Sequence, residues 1–277
     1  MERLFKPHAT SRAELVSWTL NVLRSHGIKP KKRLSQHFVV DPRLLREIAL
    51  HVNSGSDAIE IGCGIGTLSL TLLDKARSLL CIELDERLCN VACNVVADPR
   101  FLVVCGDALK FPFTRDVVVS NIPYHITSEL IVKMARENSI KKIVLTVQSE
   151  VAERLIAEPG SKKYGRLTIL IRSLFDVKLG GFYPPQSFYP RPEVAHRVVV
   201  LVRKRLYTED FEALELVTKI FFSQRRKVFE KVFVERLGAV PQEIRNLFSS
   251  VFTQRVYAID PDTWLALARE MRLLGLI

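Results

Sequence analysis

A chain of 277 residues with 48% hydrophobic content can bury one large α/β core and a smaller second one. No apolar run reaches the length of a membrane span, and the charged N-terminus lacks the apolar centre of a signal peptide, so a soluble, cytoplasmic protein is expected. The formal net charge of +11 is unevenly placed: residues 1–50 carry 10 bases against 4 acids, 51–150 carry 10 against 12, 151–207 carry 11 against 4, and 208–277 carry 10 of each. That distribution suits a polyanion lying across the rims of a small-molecule pocket, although an unspecific basic surface would give the same totals.

Residues 12–26 have the apolar spacing of an amphipathic helix ended by Gly27. Lys29-Pro-Lys-Lys-Arg33 then places four bases in five residues, either as phosphate contacts (Lys31, Lys32, Arg33) or as a solvated linker. After Leu34-Ser-Gln-His-Phe-Val-Val-Asp41, the pair Asp41-Pro42 opens a helix through Leu50. Asp57-Ala-Ile-Glu-Ile-Gly-Cys-Gly-Ile-Gly66 reads as a strand running into glycines at alternate positions, followed by a helix from Thr67 to Lys75. Glycines there let a backbone approach a ligand closely, but Thr67 stands where a dinucleotide fingerprint wants its last glycine. A second strand ends at Glu83, where a carboxylate can accept both hydroxyls of a ribose. Asp85 reads as a helix cap. A third strand, Phe101–Cys105, leads to Asp107, able to accept from an adenine amine or simply to close a turn. The five cysteines contain no Cys-x-x-Cys pair, and Cys63, Cys81 and Cys105 fall on or beside predicted strands as small apolar residues. Neither a metal site nor a disulfide framework is expected.

The next strand, Val117–Val119, stops at Ser120-Asn121, and Pro123 forbids simple continuation of pairing. A helix follows from Thr127, with Thr127 or Ser128 as cap. The tight loop Asn121-Ile-Pro-Tyr124 would sit at the carboxyl end of a parallel strand, where open α/β sheets bind ligands. Asn121 offers a side-chain carbonyl and Ile122 a backbone carbonyl that Pro123 helps to orient, a pair of acceptors suited to a planar amine with two protons. Tyr124 offers a flat ring on which a base can stack. Taken alone, the loop could equally be a proline turn whose asparagine satisfies backbone groups. Further strands are expected at 141–147, 173–182 and 197–202, with a short helix at 151–157. Gly160-Ser-Lys-Lys-Tyr-Gly-Arg166 interleaves glycines, a tyrosine and the bases Lys162, Lys163 and Arg166, a reasonable RNA contact or a mobile solvated loop. From residue 208 the pattern is helical, at 209–222, 225–237, 241–248 and 261–274, and Arg225, Arg226 and Lys227 would begin the second of these helices against its dipole.

Motifs at 60–66, 83, 107 and 121 thus fall in order along one sheet edge, a series that resembles the S-adenosyl-L-methionine-dependent methyltransferases. Ser35-Gln-His-Phe-Val, Asn121-Ile-Pro-Tyr124, Glu158–Arg166, Phe188-Tyr-Pro-Arg-Pro-Glu-Val194 and Phe222-Ser-Gln-Arg-Arg-Lys227 narrow it to a resemblance, from about Lys31 onward, with the rRNA adenine dimethyltransferases of the KsgA type. The resemblance implies a Rossmann-like catalytic domain over 31–206, a helical RNA-binding domain over 207–277 and an N-terminal helical extension over 1–30. It implies that His37, Val39, Gly62 and Gly64 touch the cofactor, that Glu83 holds its ribose and Asp107 its adenine. Asn121 would meet both cofactor and target amine, with Ile122 and Pro123 completing the loop and Tyr124 and Phe188 flanking the flipped base. The family dimethylates two adjacent adenines near the 3′ end of small-subunit rRNA, so a monomeric, metal-free, cytoplasmic enzyme acting on the pre-small ribosomal subunit is expected. The chain departs from the family at Ser35, where a glycine is common, and around Ala195-His196-Arg197, where a serine is usual, so His196 receives no role. The rivals are a large-subunit rRNA dimethyltransferase, a DNA adenine methyltransferase, and a pre-rRNA-binding assembly factor whose catalysis is dispensable.

Overall fold

The computed structural model describes residues 5–277, the side chain of Lys32 excepted. Ser11 caps α1 (Arg12–Ser25) by accepting from the Glu14 N–H, while the Glu14 carboxylate accepts from the Ser11 N–H. The helix ends before Gly27, whose φ of 63° is the left-handed turn-off anticipated for a glycine. A two-residue strand β1 (Phe38–Val39) precedes α2 (Pro42–Leu50), which Asp41 caps. Then strands and helices alternate: β2 (Asp57–Ile61), α3 (Thr67–Leu72), β3 (Ser78–Glu83), α4 (Glu86–Val96), β4 (Phe101–Cys105), β5 (Val117–Asn121), α5 (Thr127–Arg136), β6 (Lys142–Gln148) and α6 (Ser149–Leu155). After α7 (Arg166–Leu174) come β7 (Phe175–Tyr183), β8 (Phe188–Tyr189) and β9 (His196–Arg203). The chain closes with α8 (Glu209–Phe222), α9 (Phe229–Leu237), α10 (Gln242–Leu247) and α11 (Pro261–Leu273).

Seven strands form one sheet in the order β4-β3-β2-β5-β6-β9-β7, with β4 through β6 mutually parallel and β9 antiparallel to β6. Strand order reverses between β2 and β5, where Ile61 lies opposite Ser120, so the crevice beyond their carboxyl ends is the topological switch point. Val117, Val118 and Val119 are buried, as a parallel strand covered on both faces requires. A separate two-stranded ribbon pairs Phe38 with Tyr189 and Val39 with Phe188, extended by the Val40 N–H donating to the Ser187 carbonyl at 2.8 Å.

Two compact units emerge: residues 5–152 with 178–202, and residues 153–177 with 203–277. In the first, Leu15 of α1 joins the sheet core, and Val22, Leu23 and Ile28 pack with Phe38, Ile65, Leu88 and Val91. Lys6 and His8 both bridge to Asp74 at 3.2 Å, and Arg12 donates to the Gln186 carbonyl at 2.5 Å. In the second unit an aromatic core gathers Phe221, Phe229, Phe233 and Trp264, with Phe221 stacked on Phe229 at 4.7 Å. The Tyr164 hydroxyl, buried with them, donates to the Ile259 carbonyl at 2.7 Å.

The structure corrects several local expectations. Thr127 does not cap α5; its hydroxyl turns back to the Pro123 carbonyl at 3.0 Å. Residues 166–174 form α7, placing Arg166 at a helix start rather than within a loop. The bases at 225–227 lie in a turn before α9, which starts at Phe229, so they follow the C-terminus of α8, where positive charge is favourable. The expectation of no disulfide framework is also overturned: Cys63 is bonded to Cys81 and Cys89 to Cys105, leaving Cys93 free and exposed. Tertiary packing is the reason: Cys63, just beyond β2, meets Cys81 on the neighbouring strand β3, and Cys89 on α4 packs over the end of β4 at Cys105, each pair at a Cα separation of 6.0 Å, within disulfide reach. Chain spacings of 18 and 16 residues do not reveal such neighbours.

Candidate active site

A cleft opens along the carboxyl edge of the sheet, lined by His37, Val39, Gly62, Gly64, Glu83, Asp107 and Asn121 among others. Every residue assigned to the cofactor by sequence therefore meets in one cavity. The glycine turn after β2 has φ values of 77° at Gly62 and 57° at Gly64, left-handed geometry that ordinary side chains resist. An added Cβ at Gly64 would come within 3.0 Å of the Phe38 ring, so glycine lets the covering segment close over the turn.

Glu83 is buried, and both its oxygens are engaged: Oε2 accepts from the Gly64 N–H at 3.0 Å and Oε1 from the Asp85 N–H at 2.9 Å. Burial pushes its carboxyl up, while those N–H groups pull it back. It thereby ties the glycine turn to the tip of β3. Asp107 lies at the cleft wall and accepts from the Leu109 N–H at 2.9 Å, the turn-closing arrangement. Glu60, 1% exposed, accepts from the Ser69 hydroxyl at 2.6 Å, and burial pushes its carboxyl up to about 8.

Asn121 carries the most informative contact. Its side-chain NH2 donates to the His37 backbone carbonyl at 2.8 Å, and an amide so committed has its carbonyl oxygen left over as an acceptor. His37 is itself held, with Nδ1–H donating to the Pro190 carbonyl at 2.7 Å. The Ile122 N–H donates to the Thr146 carbonyl at 3.2 Å, fixing the loop to β6, and the Ser120 hydroxyl donates to the Ile61 carbonyl at 2.8 Å across the switch point.

Tyr124 and Phe188 stand beside this cleft with two histidines. The Tyr124 ring stacks near His37 at 5.3 Å and is tilted against His196 at 5.4 Å, and Phe188 lies 4.5 Å from His196. Phe188 arrives through the β1–β8 ribbon, which pairs it with Val39. Burial pushes the Tyr124 phenol up, so it stays protonated at any physiological pH.

Three participants escape sequence reasoning. Asp85 caps α4 and also receives Gln36 Nε2 at 2.9 Å and Lys31 at 3.0 Å, mooring the covering segment to the end of β3. Only its capping role was legible. Thr67 lines the cleft with a buried hydroxyl that has no protein partner, an orphan polar atom facing a ligand space. His196 is the third. With Glu83, the glycine turn and that orphan hydroxyl, the cleft fits a polar nucleoside-bearing cofactor.

Of the predicted RNA contacts, Arg33 is exposed, Lys31 is taken by Asp85, and the side chain of Lys32 lies outside the described residues. In the second unit Arg225 donates to the Ser161 carbonyl at 3.1 Å and lies over the Tyr257 ring at 5.3 Å. It draws the 160–166 loop beside the 225–227 turn. Lys163 pairs with Glu153, and Lys227 with Glu235 at 3.0 Å, while Lys162, Arg166 and Arg226 are exposed.

Among the described residues no cluster of metal-ligating side chains occurs, and no helix is long and apolar enough to cross a membrane. Residues 27–267 match the model of the family described as ribosomal RNA adenine dimethylase. A probable ribosomal RNA small subunit methyltransferase A of Pyrobaculum islandicum is 41% identical over 78% of this chain and 90% of the relative. Its counterpart in Aeropyrum pernix is 34% identical over 94% of this chain and 96% of the relative. The crystal structure of a dimethyladenosine transferase from Plasmodium falciparum superposes with a TM-score of 0.76 at 28% identity, over 86% of this chain and 98% of that one. The 23S rRNA methyltransferase ErmE shares the fold, with a TM-score of 0.66 at 23% identity over 85% of this chain and 99% of its own. With a Rossmann-like sheet, a cleft at its switch point and a family match over most of its length, this chain belongs to the ribosomal RNA adenine dimethylase family, enzymes that use S-adenosyl-L-methionine.

Proposed function

We propose that this protein N6,N6-dimethylates two adjacent adenines near the 3′ end of small-subunit rRNA, within the pre-small ribosomal subunit, in the cytoplasm and as a monomer. The names of its relatives support the choice of subunit. The observation that carries the chemistry is the Asn121 amide, whose NH2 is occupied by His37 and whose oxygen remains to accept.

Bound S-adenosyl-L-methionine supplies an activated methyl group on a sulfonium. Around it, Gly62, Gly64 and Val39 would shape the backbone walls, Glu83 would accept the ribose hydroxyls and Asp107 the adenine amine. The chain's part in the reaction is alignment of donor and acceptor. The target's amine is a poor nucleophile because its lone pair is delocalised into the ring. Asn121 Oδ1 and the Ile122 carbonyl, drawing on its two protons, favour a pyramidal nitrogen with the lone pair directed into the cleft. A duplex hides this amine, so the base must be flipped out, and Tyr124 and Phe188 would hold it by its faces. In the second unit the exposed bases Lys162, Arg166 and Arg226 would meet phosphates, with Lys163, Arg225 and Lys227 shaping that surface; Lys31, Lys32 and Arg33 would do so near the cleft.

Asn121→Ala is expected to keep most of its affinity for S-adenosyl-L-homocysteine while losing about a hundredfold or more in methylation rate. Mass spectrometry of rRNA after incubation of unmodified small or large subunits with labelled cofactor tests both claims. Normal activity in the variant, or label confined to large subunits, would overturn the reading.

A further inference from the structure

His196 takes no part in the scheme above, yet it lies at the centre of the aromatic cluster. It opens β9, opposite Gln148 of β6, and is 1% exposed. Its ring touches both residues assigned to the faces of the target base, 4.5 Å from Phe188 and 5.4 Å from Tyr124. Two polar atoms in this cluster are buried without any partner: His196 Nδ1 and the Tyr124 hydroxyl. Protein interiors rarely leave such atoms unpaired, and two in contacting residues of a ligand site indicate a missing polar occupant. Water alone would explain one such atom on a structural face, but both lie beside the loop that presents the acceptor pair.

Burial lowers the His196 imidazole to about 4, with His37 adding to the effect and the nearby Val194 backbone carbonyl opposing it, so the ring is neutral at physiological pH. A neutral imidazole and a protonated phenol can each donate one hydrogen bond. The free ring nitrogens of adenine can only accept. The chemistries are complementary, and both atoms are closed off until the rings part for an entering base.

We infer that His196 is a specificity-determining and positioning residue of the target-base pocket, setting the Tyr124 and Phe188 rings and offering a hydrogen bond to a flipped purine. This rests on the reading of Tyr124 and Phe188 as the residues that hold the base. Guanine, which carries a proton on N1 where adenine has an acceptor, would set donor against donor in this pocket, and sites built to hydrogen-bond a substrate reject analogues that cannot respond. The polar nitrogen thus selects the base, while the ring orients its neighbours.

The test compares the full-length parent with His196→Phe, which keeps an aromatic ring without the nitrogens, and His196→Asn, which restores a polar atom near the Nδ1 position. Unmodified small subunits are the substrate, with kcat, KM for subunits and the ratio of monomethyl to dimethyl adenine as readouts. Calorimetric binding of S-adenosyl-L-homocysteine and a thermal melt serve as controls. His196→Phe is expected to lose about tenfold or more in kcat and accumulate monomethyl product, with KM for subunits and cofactor binding unchanged, while His196→Asn recovers most of the rate. A His196→Phe enzyme within about twofold of the parent would overturn the polar role. So would equal losses in both variants accompanied by lower melting temperature and weaker cofactor binding, which mark a purely structural residue. Tyr124→Ala, run in parallel, separates the two ideas: an inactive Tyr124→Ala beside a normal His196→Phe sinks this inference alone, whereas an active Tyr124→Ala sinks the base-pocket reading beneath it.

Discussion

Glu60 is a carboxylic acid sealed beneath the cofactor cleft with one hydroxyl partner and the Glu83 carboxylate as a neighbour. Its folded-state value of about 8 lies above the ordinary carboxylate range. A folded acid that holds its proton more tightly than the unfolded chain favours folding at low pH and loses that advantage as pH rises. Stability of the cofactor-free protein is therefore expected to fall between about pH 5 and the Glu60 value, and Glu60→Gln, still able to accept from Ser69, to flatten that slope. Urea denaturation across this range checks it, an unchanged slope in the variant counting against the assignment. At this scale the sequence was most legible where the backbone does the selecting. Alternate glycines and a strand-end acid announced Gly62, Gly64 and Glu83 without any knowledge of the fold. Thr67 and His196 were not legible, because their interest lies in an unpaired atom, which only packing can create.

The segment between α1 and α2 shows what an element adds to its residues. From Gln36 to Val40 it is moored by Asp85, by the Asn121 amide and by pairing with β8. It begins at Ser35, whose φ of 51° lies in the left-handed region. The family's common glycine at this position is what such a turn prefers, and a non-glycine residue there costs about 1–2 kcal/mol. Ser35→Gly is expected to raise stability by up to about 1 kcal/mol, offset in part by glycine's larger unfolded entropy, and to leave cofactor affinity near the parent's. Parallel melts and cofactor titrations would show it, with destabilisation as the contrary result. The two-residue strands β1 and β8 were beyond sequence reading: neither has the length to display a period, and each exists because the other is there. The regular strands behaved otherwise. Phe101–Cys105 matched its reading residue for residue although β4 is the edge strand with Leu102 exposed, since a short apolar run between turns is signal enough.

For the whole molecule, charge is the property that composition foretold and the structure redistributes. Several of the bases at 29–33, 160–166 and 225–227 are spent on internal partners, Lys31 on Asp85, Lys163 on Glu153 and Lys227 on Glu235. Lys162, Arg166 and Arg226 remain on the second unit's surface. Substituting Arg226 or Lys162 with alanine is expected to weaken subunit binding at all sequences alike and to lower the slope of log affinity against log salt by about one for each contact removed. Filter binding across a salt series measures this, and an unaltered slope would relocate the RNA to another face. The division of contacts at residues 153–177 was hidden from the sequence for the same reason the bases were: Arg225 and Tyr164 bind backbone carbonyls far along the chain.

The ribbon of β1 and β8 has one more implication. Val39, in the wall of the cleft, and Phe188, in the ring cluster, are paired residues on opposite strands of the same short ladder. If the donor settles against Val39 and the base against Phe188, as proposed, ordering one strand would order the other, and each substrate would raise the other's affinity by one common factor.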